Sequence, residues 1–197
     1  TAFEPILELE RPACVLVFGD VNSTLACSVV AKKLGYPVAH VEAGLRSGDM
    51  RMPEEINRIV TDAISDHYFV TEESGVEHLR QEGKPATAVH HVGHVMIDNL
   101  FFEVARLERD PSNLAISERL KAGKPRYGVV TLHRPSNVDE PATIRGIVGA
   151  LATIARDLPL IFPVHPRTRG RFAEFGIEMP ATITLTEPLG YRDFLNI

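Results

Sequence analysis

The sequence predicts an α/β protein made of two Rossmann-like, doubly wound parallel sheets, both incomplete. Three observations carry this. Short, continuous apolar runs alternate with amphipathic stretches of helical period, the pattern of strands joined through helices into a parallel sheet. Four of the apolar runs end on a polar residue, Asp20, Glu42, His133 or His165, at the strand edge where open α/β sheets bind ligands. A polar, glycine- and proline-bearing segment, 121–126, interrupts the alternation and marks a boundary. The expected organisation is the later part of one Rossmann-like domain over 1–110, a linker over 111–126, and the beginning of a second such domain over 127–197.

Taken in order, residues 3–10 read as the tail of a helix. Residues 14–18 form an unbroken apolar run, which suits a strand covered by helices on both faces. Gly19 allows a tight turn, and Asp20 follows it. Asn22, Ser23 and Thr24 are all suitable N-caps for a helix that carries Leu25, Ala26, Val29, Val30 and Leu34 and stops at Gly35. A second strand, 37–41, is closed by Glu42. Pro53 opens the next helix, in which Ile56, Ile59, Val60, Ala63 and Ile64 make one apolar face, with Glu54, Arg58 and Thr61 opposite. Strand 67–71, helix 72–82 and a short strand 87–92 follow. Helix 95–109 has Ile97, Leu100, Phe101, Val104 and Leu107 as its apolar stripe. Beyond the boundary come strand 127–132, ending in His133 and Arg134, helix 141–157, strand 160–164, ending in His165, and strand 182–185.

Composition excludes several functions. The net charge is −5, with the Lys and Arg scattered, so no basic face offers itself to nucleic acid or an anionic membrane. No apolar run approaches the length that spans a bilayer. Cys14 and Cys27 each sit in an apolar context and form no metal-type pair; they read as reduced core thiols of a cytosolic protein. There is no G-x-G-x-x-G or Walker-type loop, which argues against a nicotinamide enzyme or an ATPase.

A single polar residue at a strand end is more often solvated or capping than catalytic. Four of them, from two domains, point to a shared cleft. Glu54 and Arg58 also suit a surface i,i+4 pair. Arg46 and Arg51 are either solvated loop charges or ligands for an anion, since the Arg fork matches phosphate oxygens. His67, His78, His90 and His91 have no motif around them and read as surface or structural residues.

The segments GDVNSTLA, PVAHVEAGLRSGDMRMPEEINR, VGHVMID, VVTLHRPSNVD, FPVHPRTR and EPLGYRDFL, in this order, resemble the non-hydrolysing UDP-N-acetylglucosamine 2-epimerase family along almost the whole chain. The resemblance implies a glycosyltransferase-B-like architecture, two Rossmann-like domains facing across a cleft. It implies interconversion of UDP-N-acetylglucosamine and UDP-N-acetylmannosamine with neither metal nor other cofactor, in a cytoplasmic homodimer serving cell-surface polysaccharide biosynthesis. The C2 hydrogen of the sugar is not beside a carbonyl, so the family's route is elimination: UDP leaves C1, a carboxylate takes the C2 proton, and 2-acetamidoglucal remains beside UDP. Protonation from the other face and re-addition of UDP give the epimer. Such chemistry needs acid/base groups on opposite faces and donors on the leaving diphosphate.

By this resemblance Asp20, Glu42 and Glu54 match the catalytic carboxylates and supply acid and base between them. His133 matches the histidine implicated in catalysis and in stabilising the leaving group. Arg58 matches a cleft arginine, and Arg46, Arg134 and His165 are candidates to hold the substrate. His94 stands where relatives usually have asparagine, a change expected to affect capping only, and Phe18 replaces a smaller or polar residue. The family's early Gly-Thr-Arg-Pro-Glu strand and later Asp-Ser-Gly-Gly block have no counterpart here, so the chain reads as an excerpt that binds UDP-sugar poorly by itself. Without the first strand, 14–18 becomes an apolar sheet edge, a liability that other residues or another chain should cover. The alternatives are a hydrolysing or diacetamido-uronate 2-epimerase, a glycosyltransferase of the same architecture, and a non-catalytic UDP-sugar-binding module.

Overall fold

The computed structural model describes residues 2–112, 114–132 and 134–197; His133 lies outside the described residues. The chain divides into two compact units, Thr1–Leu100 and Phe101–Ile197, each with its own parallel sheet.

In the first unit the elements are α1 (Glu4–Glu10), β1 (Val15–Phe18), α2 (Asn22–Lys33), β2 (Val38–Val41), α3 (Pro53–Ile64), β3 (His67–Val70), α4 (Glu73–Gln81), a 3-10 turn at Ala86–Ala88 and β4 (Val89–His91). The strands lie in the order β1-β2-β3-β4, all parallel, as the alternating sequence predicts. One side-chain row runs Val17, His40, Tyr68 and Val89 across the four strands. On the covered side Val15 and Val17 pack with Leu7, Ala31 and Val38. The other side of β1 is open: Leu16 is 51% and Phe18 59% exposed. The strand expected to be covered on both faces is therefore covered on one, and among the described residues it pairs with β2 alone. The start of α2 also differs from expectation. Its N-cap is Val21, whose apolar side chain cannot cap, and Thr24 instead turns back, its hydroxyl donating to the Phe18 carbonyl at 2.6 Å.

Helix α5 (Val95–Arg109) contains the division between the units and buries none of its residues. Its expected stripe stays open, with Phe101 68% exposed. The second unit continues with α6 (Ala115–Lys121), β5 (Gly128–Val129), α7 (Pro135–Val138), α8 (Pro141–Ile154), β6 (Leu160–Pro163), α9 (Pro166–Glu174), β7 (Ile183–Thr186) and α10 (Tyr191–Asn196). Its sheet, β5-β6-β7, is parallel. The core comprises Val138, Ile144, Leu160, Phe162, Val164 and Phe172, among others, with the Phe162 and Phe172 rings edge to face. Within 111–126, expected as a linker, the chain forms α6. The reason is apolar and polar docking together: Leu114 and Leu120 are buried, the Ser117 N–H donates to Asp193 at 2.9 Å, and Lys121 Nζ donates to the Asn196 carbonyl.

Candidate active site

The candidate site of the first unit rests on α3, and α3 is turned the opposite way from its apolar pattern. Ile56 and Val60 face outward, 42% and 37% exposed, while Glu55, Asn57, Arg58, Thr61 and Asp62 are buried. An amphipathic helix ordinarily buries its apolar stripe. Here the polar stripe goes inside because nearly every group on it finds a partner, which removes the desolvation penalty of an unpaired charge. Among the described residues only the Thr61 hydroxyl of that stripe lacks one.

Glu55 ties down the loop after β2. Its carboxylate accepts from the Ser47 and Gly48 N–H groups at 2.9–3.0 Å and from Arg58 at 2.5 Å. Burial alone would raise its pKa; the loop N–H groups, the Ser47 side chain and the Arg58 charge together hold it below the ordinary carboxylate value. Arg58 also donates to Asp20, so one guanidinium links the end of β1 to α3. Asn57 completes that link, donating to the Asp20 carbonyl at 2.8 Å and to Asn22 Oδ1 at 3.0 Å.

A second network joins β1, β2 and α3. The fully buried His40 contacts Asp62 Oδ1 at 2.7 Å through Nδ1 and the Gly19 carbonyl at 2.8 Å through Nε2. Asp62 Oδ2 accepts from the Gly44 N–H at 3.0 Å and from Arg46 at 2.7 Å. Burial pushes the Asp62 carboxyl up, but His40, Arg46 and the Gly44 N–H outweigh it and bring it below the ordinary value. Gly44 is a close-approach position: a Cβ there would lie 2.4 Å from the Gly75 carbonyl oxygen.

Glu42, at the end of β2, has φ +69°. A left-handed conformation in a non-glycine residue is unfavourable and marks strain that the surroundings hold in place. The holding contacts are the Glu42 and Ala43 N–H groups on the Phe69 carbonyl, and the Gly44 peptide, gripped by Asp62 on one side and by His78 on its carbonyl. The Glu42 carboxylate runs toward Gly19, where even a Cβ would stand 3.3 Å from Oε2.

Asp20 and Glu54 line one pocket of about 440 Å³ with Asn22, Ser23, Pro53 and Asn57. Among the described residues the carboxylates of Glu42 and Glu54 have no hydrogen-bond partner, in contrast to those of Glu55 and Asp62. Arg58 meets Asp20 and Glu55 rather than Glu54. Arg46 is committed within the fold, to Asp62 and in a two-pronged pair to Glu82. Arg51 forks onto Asp49 and holds that carboxyl down to about 2, through its side chain first and its N–H second. His90 stacks on Phe69, and His91 lies 3.2 Å from Glu73.

Two candidates belong to the second unit. Arg134 precedes α7 as its N-cap residue, and His165 caps α9, its Nδ1 accepting from the Arg167 N–H. Thr168 donates to the Leu132 carbonyl at 3.0 Å, linking α9 to the end of the run that precedes Arg134. Sequence reasoning missed His40, Glu55, Asn57 and Asp62. For Glu55, Asn57 and Asp62 the available signal was the polar stripe of α3, which has the same period as the apolar one. Among the described residues no group of His, Cys, Asp and Glu is placed to hold a metal ion, and no helix is long and apolar enough to cross a membrane.

Comparison with known proteins places these features in context. A family model described as UDP-N-acetylglucosamine 2-epimerase matches residues 1–197. The UDP-2,3-diacetamido-2,3-dideoxy-D-glucuronate 2-epimerase of Pseudomonas aeruginosa is 40% identical over 98% of this chain and 52% of its own length. The UDP-N-acetylglucosamine 2-epimerase of Methanocaldococcus jannaschii is 38% identical over 98% of this chain and 54% of its own. A crystal structure of the M. jannaschii UDP-GlcNAc 2-epimerase with UDP-GlcNAc and UDP is similar at a TM-score of 0.87 and 37% identity, over 98% of this chain and 54% of that one. The Neisseria meningitidis UDP-GlcNAc 2-epimerase bound to UDP-GlcNAc is similar at a TM-score of 0.83 and 28% identity, with the same coverage. The chain thus spans about half the length of the curated relatives it matches.

Proposed function

The chain belongs to the UDP-N-acetylglucosamine 2-epimerase family, and from that premise we propose that the full-length protein interconverts UDP-N-acetylglucosamine and UDP-N-acetylmannosamine. The observation that carries this reading is the pocket shared by Asp20 and Glu54. Two acidic residues line it from different elements, a strand end and a helix start, an arrangement that supports proton removal from one face of C2 and return to the other. Glu42 stands at the neighbouring strand end as the third acid/base candidate.

UDP leaves C1 with the electrons of the C–O bond, and one carboxylate takes the C2 proton as the C1–C2 double bond of 2-acetamidoglucal forms. A second carboxylate then returns a proton from the opposite face while a diphosphate oxygen re-forms the bond to C1. By the family resemblance, His133, Arg134 and His165 are the candidates to assist the departing diphosphate. Arg58 fixes Asp20, and Arg46 fixes the loop, so their contribution to binding is through the shape of the site. The reading includes a cytoplasmic homodimer whose product serves polysaccharide synthesis. A second reading has one specific support: the P. aeruginosa relative at 40% identity is a diacetamido-glucuronate 2-epimerase, and the same C2 chemistry would act on that sugar.

The test is incubation of the full-length protein with each nucleotide sugar in deuterated water, without an acceptor. One deuterium should enter C2 as the 2-epimer forms, and Asp20→Asn should lower kcat by about 10²–10⁴-fold. Exchange with the diacetamido-glucuronate alone would select the second reading. No exchange with either would sink both.

A further inference from the structure

We infer that His40 and Asp62 form a buried positioning pair that sets the two strand-end carboxylates, Asp20 and Glu42, in one geometry. The role assigned to those carboxylates rests on the epimerase reading; the pair itself rests on hydrogen-bond accounting.

His40 sits in mid-strand, with Val17 beside it on β1 and Tyr68 on β3. Its Nε2 lies 2.8 Å from the Gly19 carbonyl, which can only accept, so Nε2 carries a proton. Its Nδ1 lies 2.7 Å from Asp62 Oδ1. The other oxygen of Asp62 takes the Gly44 N–H and the Arg46 guanidinium, and a cation plus a backbone donor keep that carboxyl ionised. Nδ1 must then supply a proton as well. His40 is therefore an imidazolium, donating to a carboxylate on one side and to a carbonyl on the other.

The charged and titratable groups around it come from each neighbouring element. Asp62 approaches from α3, with Arg46 behind it from the loop and Glu82 behind Arg46. Tyr68, on β3, donates its hydroxyl to the Ser65 and Asp62 carbonyls. From β1 the only polar approach among the described residues is the Gly19 carbonyl.

Core filling does not account for this arrangement. The other residues of β2 are Val38, Ala39 and Val41, and well-packed apolar side chains in place of a buried ion pair are commonly as stable or more so. What the pair does that an apolar residue could not is hold backbone atoms next to the candidate carboxylates. The Gly19 carbonyl belongs to the peptide that enters Asp20. The Gly44 N–H lies two residues beyond Glu42, at the foot of the left-handed turn that Glu42 begins. One ion pair thus orients the ends of β1 and β2 together, and the distance between their carboxylates follows from it. Proton transfer is steeply sensitive to such placement.

The experiment uses the full-length protein. Long-range proton–nitrogen NMR of the histidine rings should show both nitrogens of His40 protonated at neutral pH. The variant His40→Gln keeps one donor and removes the charge. It should displace the backbone amide resonances of Asp20, Glu42 and Gly44 while leaving those of β4 in place. It should lower kcat by about tenfold to a hundredfold with KM within about threefold. A neutral His40 ring at neutral pH would overturn the pair, whether or not the variant folds. A folded variant with unchanged kcat would overturn the positioning role. If the wild-type protein exchanges no C2 deuterium, the epimerase reading fails by itself; the ring protonation and amide displacements still decide the pair, and undisturbed amides at Asp20 and Gly44 would overturn it.

Discussion

In the first unit the space between the sheet and α3 is occupied by His40, Asp62, Glu55 and Arg58, beside apolar clusters around Val17 and Val70, whereas in the second unit the space between sheet and helices holds Ile144, Phe162, Val164 and Phe172. All the buried polar side chains of the described residues except Ser117 and Thr168 lie in the first unit. The polar layer under α3 and the apolar core of the second unit are held by different physics. Apolar packing stabilises in proportion to the area removed from water and tolerates many shapes that fill the same volume. Buried charges are tolerated only where partners stand at hydrogen-bond distance, so they impose geometry and give little or no net stability for it. The unit that imposes geometry is the one that carries Asp20, Glu42 and Glu54.

The sharpest way to break this contrast is substitution at matched volume in the two units. Asp62→Asn hardly changes size but leaves His40 and Arg46 facing an uncharged group, and it should cost about 3–5 kcal/mol. Leu160→Met, at a site only 3% exposed in the second unit, should cost less than about 1.5 kcal/mol. Native-state hydrogen exchange at β2 and β6 in the full-length protein reads each unit separately. If Asp62→Asn proves as mild as Leu160→Met, the polar network is decoration on an otherwise apolar fold.

Acid should separate the units next. Glu55, Asp62 and Asp66 all titrate below their ordinary values, 4.5 for Glu and 3.8 for Asp, in the folded chain. In each, burial works upward and is outweighed by hydrogen bonds and nearby cations, Arg58 for Glu55, His40 and Arg46 for Asp62, and Lys32 for Asp66. A carboxylate depressed on folding contributes stability that is fully present above its unfolded pKa and is lost as pH falls through the folded one. The first unit should therefore lose stability progressively below about pH 4.5, while the core around Phe162 contains no group that titrates there. Exchange protection of β2 and β3, corrected for intrinsic rates, should fall before that of β6 and β7. Simultaneous loss would mean that the buried carboxylates do not govern acid sensitivity.

The same contrast explains what could be read from the sequence. The parallel sheets were legible because strand runs such as 15–18 and 160–163 are apolar and end at turns, a local signal. The position of Asp20 and Glu42 at strand ends was legible for the same reason. The orientation of α3 was not. Its apolar and polar stripes have one period, and periodicity cannot say which stripe faces the sheet. That choice is made by His40 and Gly19, which lie 22 and 43 residues before Asp62 in the chain, and by contacts that exist only once β1 and β2 are paired. Arg46 was ambiguous on its own side of the chain because its partners, Asp62 on α3 and Glu82 just past the end of α4, lie far along the chain. In the second unit, α6 was hidden in a polar segment whose burial depends on α10, more than seventy residues later.

The smallest effect expected is at Glu42, and its value lies in its sign. At an ordinary strand position Ala is favoured over Gly, because Gly loses more conformational freedom on folding. At φ +69° the order should reverse, since a Cβ in the left-handed region costs about 1–2 kcal/mol. Glu42→Gly should thus be more stable than Glu42→Ala by about 1 kcal/mol, measured by urea unfolding of the full-length protein, and both should lose C2 exchange. The side chain carried on this strained backbone is a carboxylate without a hydrogen-bond partner among the described residues. If Ala proves better than Gly, the backbone at Glu42 is relaxed, and the polar unit stores no strain at its candidate acid/base group. If Gly is better and the exchange persists, the strain is real but Glu42 is not among the groups that move the proton, which leaves the chemistry to Asp20 and Glu54.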